Sequence, residues 1–371
     1  MPIYSGSNKI SALNYGNTSV AEAYYGDVLV FRKTEPSEFY MRLYNTTGST
    51  VTVNSLNNLL MYKTGNPVLR TAVVERSGGD ENIKGTGNLI NTFTVENNES
   101  CVFRMTWTGG LFSLQGSAYN SYSGIVRSAG CKLNGNYNIP DYFMYFLFCN
   151  CVNYNQQAED VFDTTELTPS VIGIAFLSST WNGCTSLVNS ISLDTSNWNI
   201  TTFGRNFMDG TWNGCTSLVD VIMFDTSNWN ITSIPEIFLR TTWNGCTSLV
   251  NAIAFDTSNW YITRIDNAFL SSTWNGCTSL VDVVMFDTSN WNIANFPGNF
   301  FVNTFYNAFT PRGGGVLTLK GDLYATKTLT TISMGIDNAR AKNIKVDPTL
   351  ITTYQNSTSW SNITDSKFIS W

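Results

Sequence analysis

The side chains able to do chemistry recur in rows at intervals of 31 positions. Asp194, Asp225, Asp256 and Asp287 make a carboxylate row of the kind that could hold calcium through oxygen ligands. Each aspartate also opens an Asp-Thr-Ser-Asn-Trp run, where it can instead cap the turn by accepting backbone N–H groups. One acid per turn, with only neutral oxygens beside it, favours capping, so no metal is expected. Trp198, Trp229, Trp260 and Trp291 stand beside Asn197, Asn228, Asn259 and Asn290. Aromatic faces next to amides suit sugars, the apolar face stacking and the amide fixing hydroxyls. Packing over the ends of the turns is the competing role for these tryptophans, and the eight residues form the candidate surface-binding set.

Cys184, Cys215, Cys246 and Cys277 recur inside Trp-Asn-Gly-Cys-Thr-Ser-Leu-Val with no second ligand type, which argues for buried thiols over zinc. Successive turns of a stacked array lie about 4.8 Å apart, a spacing a disulfide tolerates. Ladder side chains point in parallel, however, so free thiols are expected in this row. The sequence leaves Cys101, Cys131, Cys149 and Cys151 undecided. Catalysis finds little support. The chain has no histidine, which removes the commonest general base and metal ligand together. Glu159, Asp160 and Asp163 offer the two carboxylates a glycosidase needs, but they sit in no distinctive motif. There is no nucleophile elbow, phosphate loop or zinc signature. No catalytic residue and no cofactor are expected.

Fixed spacing without slippage makes each unit one turn of a stacked solenoid whose core comes from its neighbours. Within a copy, Val188, Ile191 and Leu193 read as a strand, repeated as Val219, Ile222 and Phe224, as Val250, Ile253 and Phe255, and as Val281, Val284 and Phe286. The last two of each set should point inward, and aligned strands should form a parallel sheet. Ile172 with Phe176, Phe203 with Phe207, Ile234 with Phe238, Ile265 with Phe269, and Phe296 with Phe300 repeat at i, i+4, which predicts a short helix facing the strand. Pro235 and Pro297 fall where proline is tolerated at a helix start. A degenerate first turn is expected near Asp163, and the pattern decays after Phe300.

Upstream, residues 1–33 carry a ten-residue period with Gly6, Gly16 and Gly26 in register, read as strands and tight turns. Alternating runs such as Phe39–Tyr44 and Cys101–Trp107 predict a separate β domain over 35–160, sandwich or open barrel. The expected fold is mainly β with short helices: an N-terminal β segment (1–33), a β-sandwich-like domain (35–160), a leucine-rich-repeat array (161–310) and a C-terminal capping region (311–371). The formal charge of −6 and the lack of Lys/Arg-rich stretches argue against nucleic acid. The most apolar window, Tyr142 to Phe148, is too short to span a membrane. Met1-Pro2-Ile3 leads straight into a polar stretch, so no secretory signal is visible and synthesis in the cytosol is expected.

The run Cys277-Thr278-Ser279-Leu280-Val281 followed by Phe286-Asp287-Thr288-Ser289-Asn290-Trp291, with Phe269 before it, resembles the BspA-like leucine-rich repeats of bacterial surface proteins and some phage proteins. The unit is longer than the family's usual one by Leu270 to Gly276. The segment Val346-Asp347-Pro348 with Leu350, Tyr354 and Trp360 is similar to the closing segment after such repeats. Residues 3–31, with Tyr4-Ser5-Gly6, Tyr15-Gly16-Asn17 and Tyr25-Gly26-Asp27, look like the N-termini of phage tail and fibre proteins. Together these resemblances imply a non-enzymatic protein of a bacteriophage particle, a tail- or head-associated fibre. Residues 1–33 would dock to other virion proteins, and the array would meet a host-surface glycan or protein, in homo-oligomeric form by virion symmetry. The alternative they imply is a secreted bacterial surface adhesin, and a polysaccharide-degrading tailspike stands third.

Overall fold

The computed structural model describes residues 35–371 except 192, 222–223, 254–255, 294–298, 310–314, 322–340 and 359–362, together with the strand backbone between residues 4 and 32. That N-terminal backbone forms antiparallel pairs: β1 (Tyr4–Ser5) with β2 (Asn8–Lys9), β3 (Leu13–Tyr15) with β4 (Thr18–Val20), and β5 (Glu22–Tyr25) with β6 (Val28–Arg32). The ten-residue period is thus one hairpin per repeat. Its glycines, at 6, 16 and 26, lie outside the described residues.

Alternation of apolar and polar residues builds the next unit. In β7 (Ser37–Tyr44) burial alternates so that Phe39, Met41 and Leu43 face inward. β7 sits inside a six-stranded sheet with β9 (Lys63–Glu75), β10 (Glu81–Asn82), β12 (Ser100–Phe112), β13 (Val126–Gly135) and β14 (Phe162–Leu167), in the order β10-β9-β12-β7-β13-β14. All pairings are antiparallel except β13 with β14. A two-stranded ribbon, β8 (Val51–Val53) with β11 (Phe93–Val95), packs on the apolar face through Phe93 and Phe103, whose rings stack 6.3 Å apart. The same face meets the first solenoid turn, with Phe39 lying 6.5 Å from Phe148. One continuous core therefore joins sheet and array.

The array is a β-solenoid of about six turns. Its stacking starts one turn earlier than Asp163 indicated. Phe143, Phe148 and Cys151 stand 33 residues before Phe176, Trp181 and Cys184, and their rings stack on those of Phe176 and Trp181. One side of each turn is a two-residue parallel strand: β15 (Val171–Ile172) pairs with β16 (Thr202–Phe203), and β17 (Ser233–Ile234) with β19 (Arg264–Ile265). The expected parallel sheet is present over the later turns, as β18 (Asn251–Ile253), β20 (Asp282–Asp287), β21 (Gly315–Lys320), β22 (Ala341–Val346) and β23 (Phe368–Ser370) in that order. In the first two copies the described residues show only the bridge from Asn189 to Asp220. Ile191, Leu193, Phe224 and Phe286 are buried as expected, while in the fourth copy Val284 is half-buried and Val283 and Met285 turn inward beside Phe286.

The short helix predicted from the i, i+4 pairs is not formed. Residues 174–184 and their equivalents run as a ribbon of consecutive turns in which Ala175, Leu177 and Ser179 have φ of 57°, 53° and 54°. Each non-glycine residue in this left-handed region costs about 1–2 kcal/mol, so the ribbon needs compensation from its neighbours. It comes from between turns: Ala175, Ser179, Trp181 and Gly183 N–H donate to the carbonyls of Arg205, Asp209, Thr211 and Asn213 at 2.8–2.9 Å. Intervening N–H groups close short turns, as Thr180 does to the Leu177 carbonyl and Cys184 to that of Trp181. A helix would have spent all of these donors within itself. The glycine of Trp-Asn-Gly is explained by the same backbone: Gly183, Gly214, Gly245 and Gly276 have φ of 73–75°, and Asn150 and Asn307 take the position in the flanking turns at 58° and 57°. Phe296 and Pro297 lie outside the described residues. The one α-helix among the described residues, α1 (Ile351–Gln355), belongs to the cap.

Candidate functional site

The invariant residues of the repeat are spent on stacking. Trp181, Trp212, Trp243 and Trp274 form a buried column with ring centroids 5.6–5.8 Å apart and planes within 9°. Burying an indole of roughly 200 Å² at about 25 cal/mol/Å² contributes about 5 kcal/mol before entropy is charged. Behind the column, each cysteine thiol donates to a carbonyl one turn earlier: Cys184 to Phe148 at 3.1 Å, Cys215 to Trp181 and Cys246 to Trp212 at 3.0 Å, and Cys277 to Trp243 at 2.9 Å. All eight cysteines are free and buried, and loss of solvation raises the pKa of each ladder thiol above the ordinary range. Thr211, Thr242, Thr273 and Thr304 hydroxyls add a second buried ladder, donating to Leu177, Met208, Leu239 and Leu270 carbonyls at 2.8–2.9 Å. Sequence reasoning passed over this row; a threonine directly before every Trp-Asn-Gly was its only signal.

The candidate sugar-binding tryptophans are not at the surface. Trp198, Trp229 and Trp260 are 0% exposed and Trp291 is 7% exposed, with the first three rings stacked at 6.4 Å. The role corrected here is binding; the position is core. An indole flanked by threonine and isoleucine on inward-pointing positions gains more from burial than from water, and Thr195 and Ile200 on either side are buried with it. Their neighbours Asn197, Asn228, Asn259 and Asn290 are exposed, yet each amide donates to a carbonyl one turn earlier, of Thr165, Ser196, Ser227 and Ser258, at 2.7–2.8 Å. The aspartates cap as expected. Asp194, Asp225, Asp256 and Asp287 Oδ1 each accept the N–H of the serine two residues on, at 3.0 Å. Hydrogen bonds from Ser196 and Ser227 hold Asp194 and Asp225 below the usual carboxylate range. Thr164, Thr195, Thr226 and Thr257 then tie each corner to the next aspartate's carbonyl.

Two of the acids outside the repeat, Asp160 and Asp163, are also engaged. Asp160 accepts Arg42 Nε at 2.7 and 3.0 Å and the Ser128 hydroxyl, while Asp163 caps Thr165. Among the described residues no group of three or more acids, cysteines or histidines could hold a metal ion, and no helix is long and apolar enough to cross a membrane.

One place breaks the corner row. After Asp287 the next turn brings Lys320 into the aspartate register, and the strand offset carried onward sets Asp347 beside Lys320. Thr288 still donates to the Lys320 carbonyl at 2.9 Å. Gly321 follows with φ of 86°, so close beneath the corner that a Cβ would lie 2.5 Å from Thr288 Oγ1. The Tyr354 hydroxyl holds the Gly321 carbonyl at 3.1 Å. Asp347 then starts a new capped turn, accepting Thr349 N–H at 2.8 Å and its hydroxyl at 2.6 Å. The break opens a cleft of about 620 Å³ lined by Asp287, Ser289, Lys320, Gly321, Asp347, Thr349, Leu350 and Trp371.

Compared with family models, curated proteins and solved structures, the chain finds no match.

Proposed function

We propose that this chain is a non-catalytic structural and adhesion protein of a bacteriophage particle, docked through its N-terminal hairpins and presenting the solenoid to the host surface. The observation that carries this is the division of labour in the repeat. Invariant residues bond turn to turn, which makes a rigid array, and the exterior is left as parallel rows of Asp, Ser, Asn and Thr. A weak contact repeated at fixed spacing gains through multivalency what it lacks in single affinity. The capped and ion-paired acids have structural work already, which favours contact over hydrolysis. The resemblances of residues 3–31 and of the repeat supply the phage assignment.

Antibody against residues 163–300, applied to intact particles from the source, tests it. Label projecting from a phage head or tail is expected. Label on bacterial envelopes with bare virions would refute the virion assignment and favour a cellular adhesin.

A further inference from the structure

We propose that the cleft where the corner row breaks binds a hexose unit of an uncharged glycan, with the Trp371 indole as its stacking face. This rests on the chain being a surface-contact protein and names where and what it grips. Among the described corners, this is the one at which lysine stands in the aspartate register. In the four preceding turns an asparagine amide closes each corner against the turn before it. At the break the sequence supplies Lys320-Gly321 in place of Asp-Thr, and glycine lets the backbone lie tight beneath the Thr288 corner, where a Cβ would clash. Its volume, about 620 Å³, falls in the range of roughly 300–1,000 Å³ typical of small-ligand sites.

The lining has the chemistry of sugar recognition. Asp287 and Asp347 each hold their own turn through Oδ1, and an ionised carboxylate, with about four lone-pair sites, keeps acceptor capacity for hydroxyls. Lys320 supplies an ammonium donor between them, and Ser289 and Thr349 add hydroxyls. Trp371 is 50% exposed, whereas the other nine described tryptophans are at most 7% exposed. Trp371, the exposed indole among the described residues, therefore lines this corner. Two carboxylates against one ammonium leave the site net negative, which disfavours uronic acids, sialic acids and phosphates.

The test uses the full chain on an immobilised panel of hexose-, N-acetylhexosamine- and uronic-acid-terminated oligosaccharides, with binding to host cells measured in parallel. Wild type should bind an uncharged member above the acidic ones. Trp371→Ala and Lys320→Gln should each weaken binding about tenfold, a factor that corresponds to about 1.4 kcal/mol. Arg70→Gln, exposed on β9 and outside the array, should leave binding unchanged, and circular dichroism should show all variants folded. Glycan binding untouched by the cleft variants would overturn this site while leaving the surface-contact role standing. Cell binding with no glycan binding would do the same. Binding to neither would overturn both.

Discussion

Replacing Trp243 by alanine is the sharpest test of the claim that the repeat motif exists for stacking. Trp243 is 1% exposed and lies between Trp212 at 5.8 Å and Trp274 at 5.6 Å, with planes inclined by 9° and 5°. Truncating a buried aromatic to alanine costs about 3–5 kcal/mol. Losing two stacked contacts, each about 0.5–1.5 kcal/mol, pushes toward the upper end. Removing an indole N–H that has no acceptor in the interior pushes back, since such a group costs about 1–3 kcal/mol. The expected loss is therefore about 4 kcal/mol. Trp243→Phe is the internal control, because the protein itself ends the column with phenylalanine. Phe305 stacks on Trp274 at 5.2 Å and 4°, and Phe148 on Trp181 at 6.1 Å and 27°. That variant keeps a ring and removes the unpaired N–H, so about 1–2 kcal/mol is expected. Urea unfolding followed by far-ultraviolet circular dichroism reads both. Equal losses in the two variants, or an alanine variant as stable as wild type, would refute the stacking argument.

Reductant should leave the melting temperature unchanged, and Ellman's reagent should find no reactive thiol until denaturant is added and eight thereafter; a fall in melting temperature on reduction would mean disulfides. Asp225→Ala should cost about 1 kcal/mol by removing the cap on Ser227, as at helix N-caps, while Asp225→Asn should cost a few tenths. Asp194 and Asp225 have folded pKa values below their unfolded ones, so their stabilisation is fully present above about pH 4 and is lost as pH falls through the folded values. Both are solvent-facing, so the urea midpoint should be flat from pH 8 to 5 and decline modestly below pH ~4; a decline beginning at pH 6 would point to other groups. Asp160→Ala should cost about 2 kcal/mol, less than a fully buried pair would, because the Arg42 side chain is 43% exposed while that of Asp160 is 0% exposed; an unaltered urea midpoint would show the pair to be ornamental.

Periodicity made the solenoid legible before any coordinates, because 31-residue identity has no other economical explanation in a folded chain. The aspartate caps and free cysteines were legible for the same reason: one acid and one thiol per turn suit a local bond better than a shared ligand. The helix was misread because a single i, i+4 pair per turn cannot separate a helical face from a chain that turns every few residues. Nothing in Ala175, Leu177 or Ser179 announces a left-handed backbone, which only the hydrogen bonds to adjacent turns sustain. The tryptophan row was misplaced by composition: an indole beside amides looks like a sugar site, and exposure is a property of the packed turn. The cleft was hidden because it is an interruption, visible only when Lys320 is set against Asp287.

Much of the identity between turns follows contact from one turn to the next. Tryptophan, cysteine, threonine and leucine repeat without change where a side chain meets its own copy one turn away, since identical partners at fixed spacing fit best when both are kept. Some positions differ inside, as Ile172, Phe203, Ile234 and Ile265 do, but others are exposed: Arg205, Glu236 and Asn267 on one row, Thr202, Ser233 and Arg264 on another, and Asn199, Asn230, Tyr261 and Asn292 on a third. Tyr261, 57% exposed, is the one aromatic in its row. Stacking places no constraint on these side chains, so any selectivity along the array must be written in them and not in the motif that first attracts the eye. The same logic sets Lys320 and Trp371 apart: each departs from the repeat at the point where the repeat ceases to close on itself.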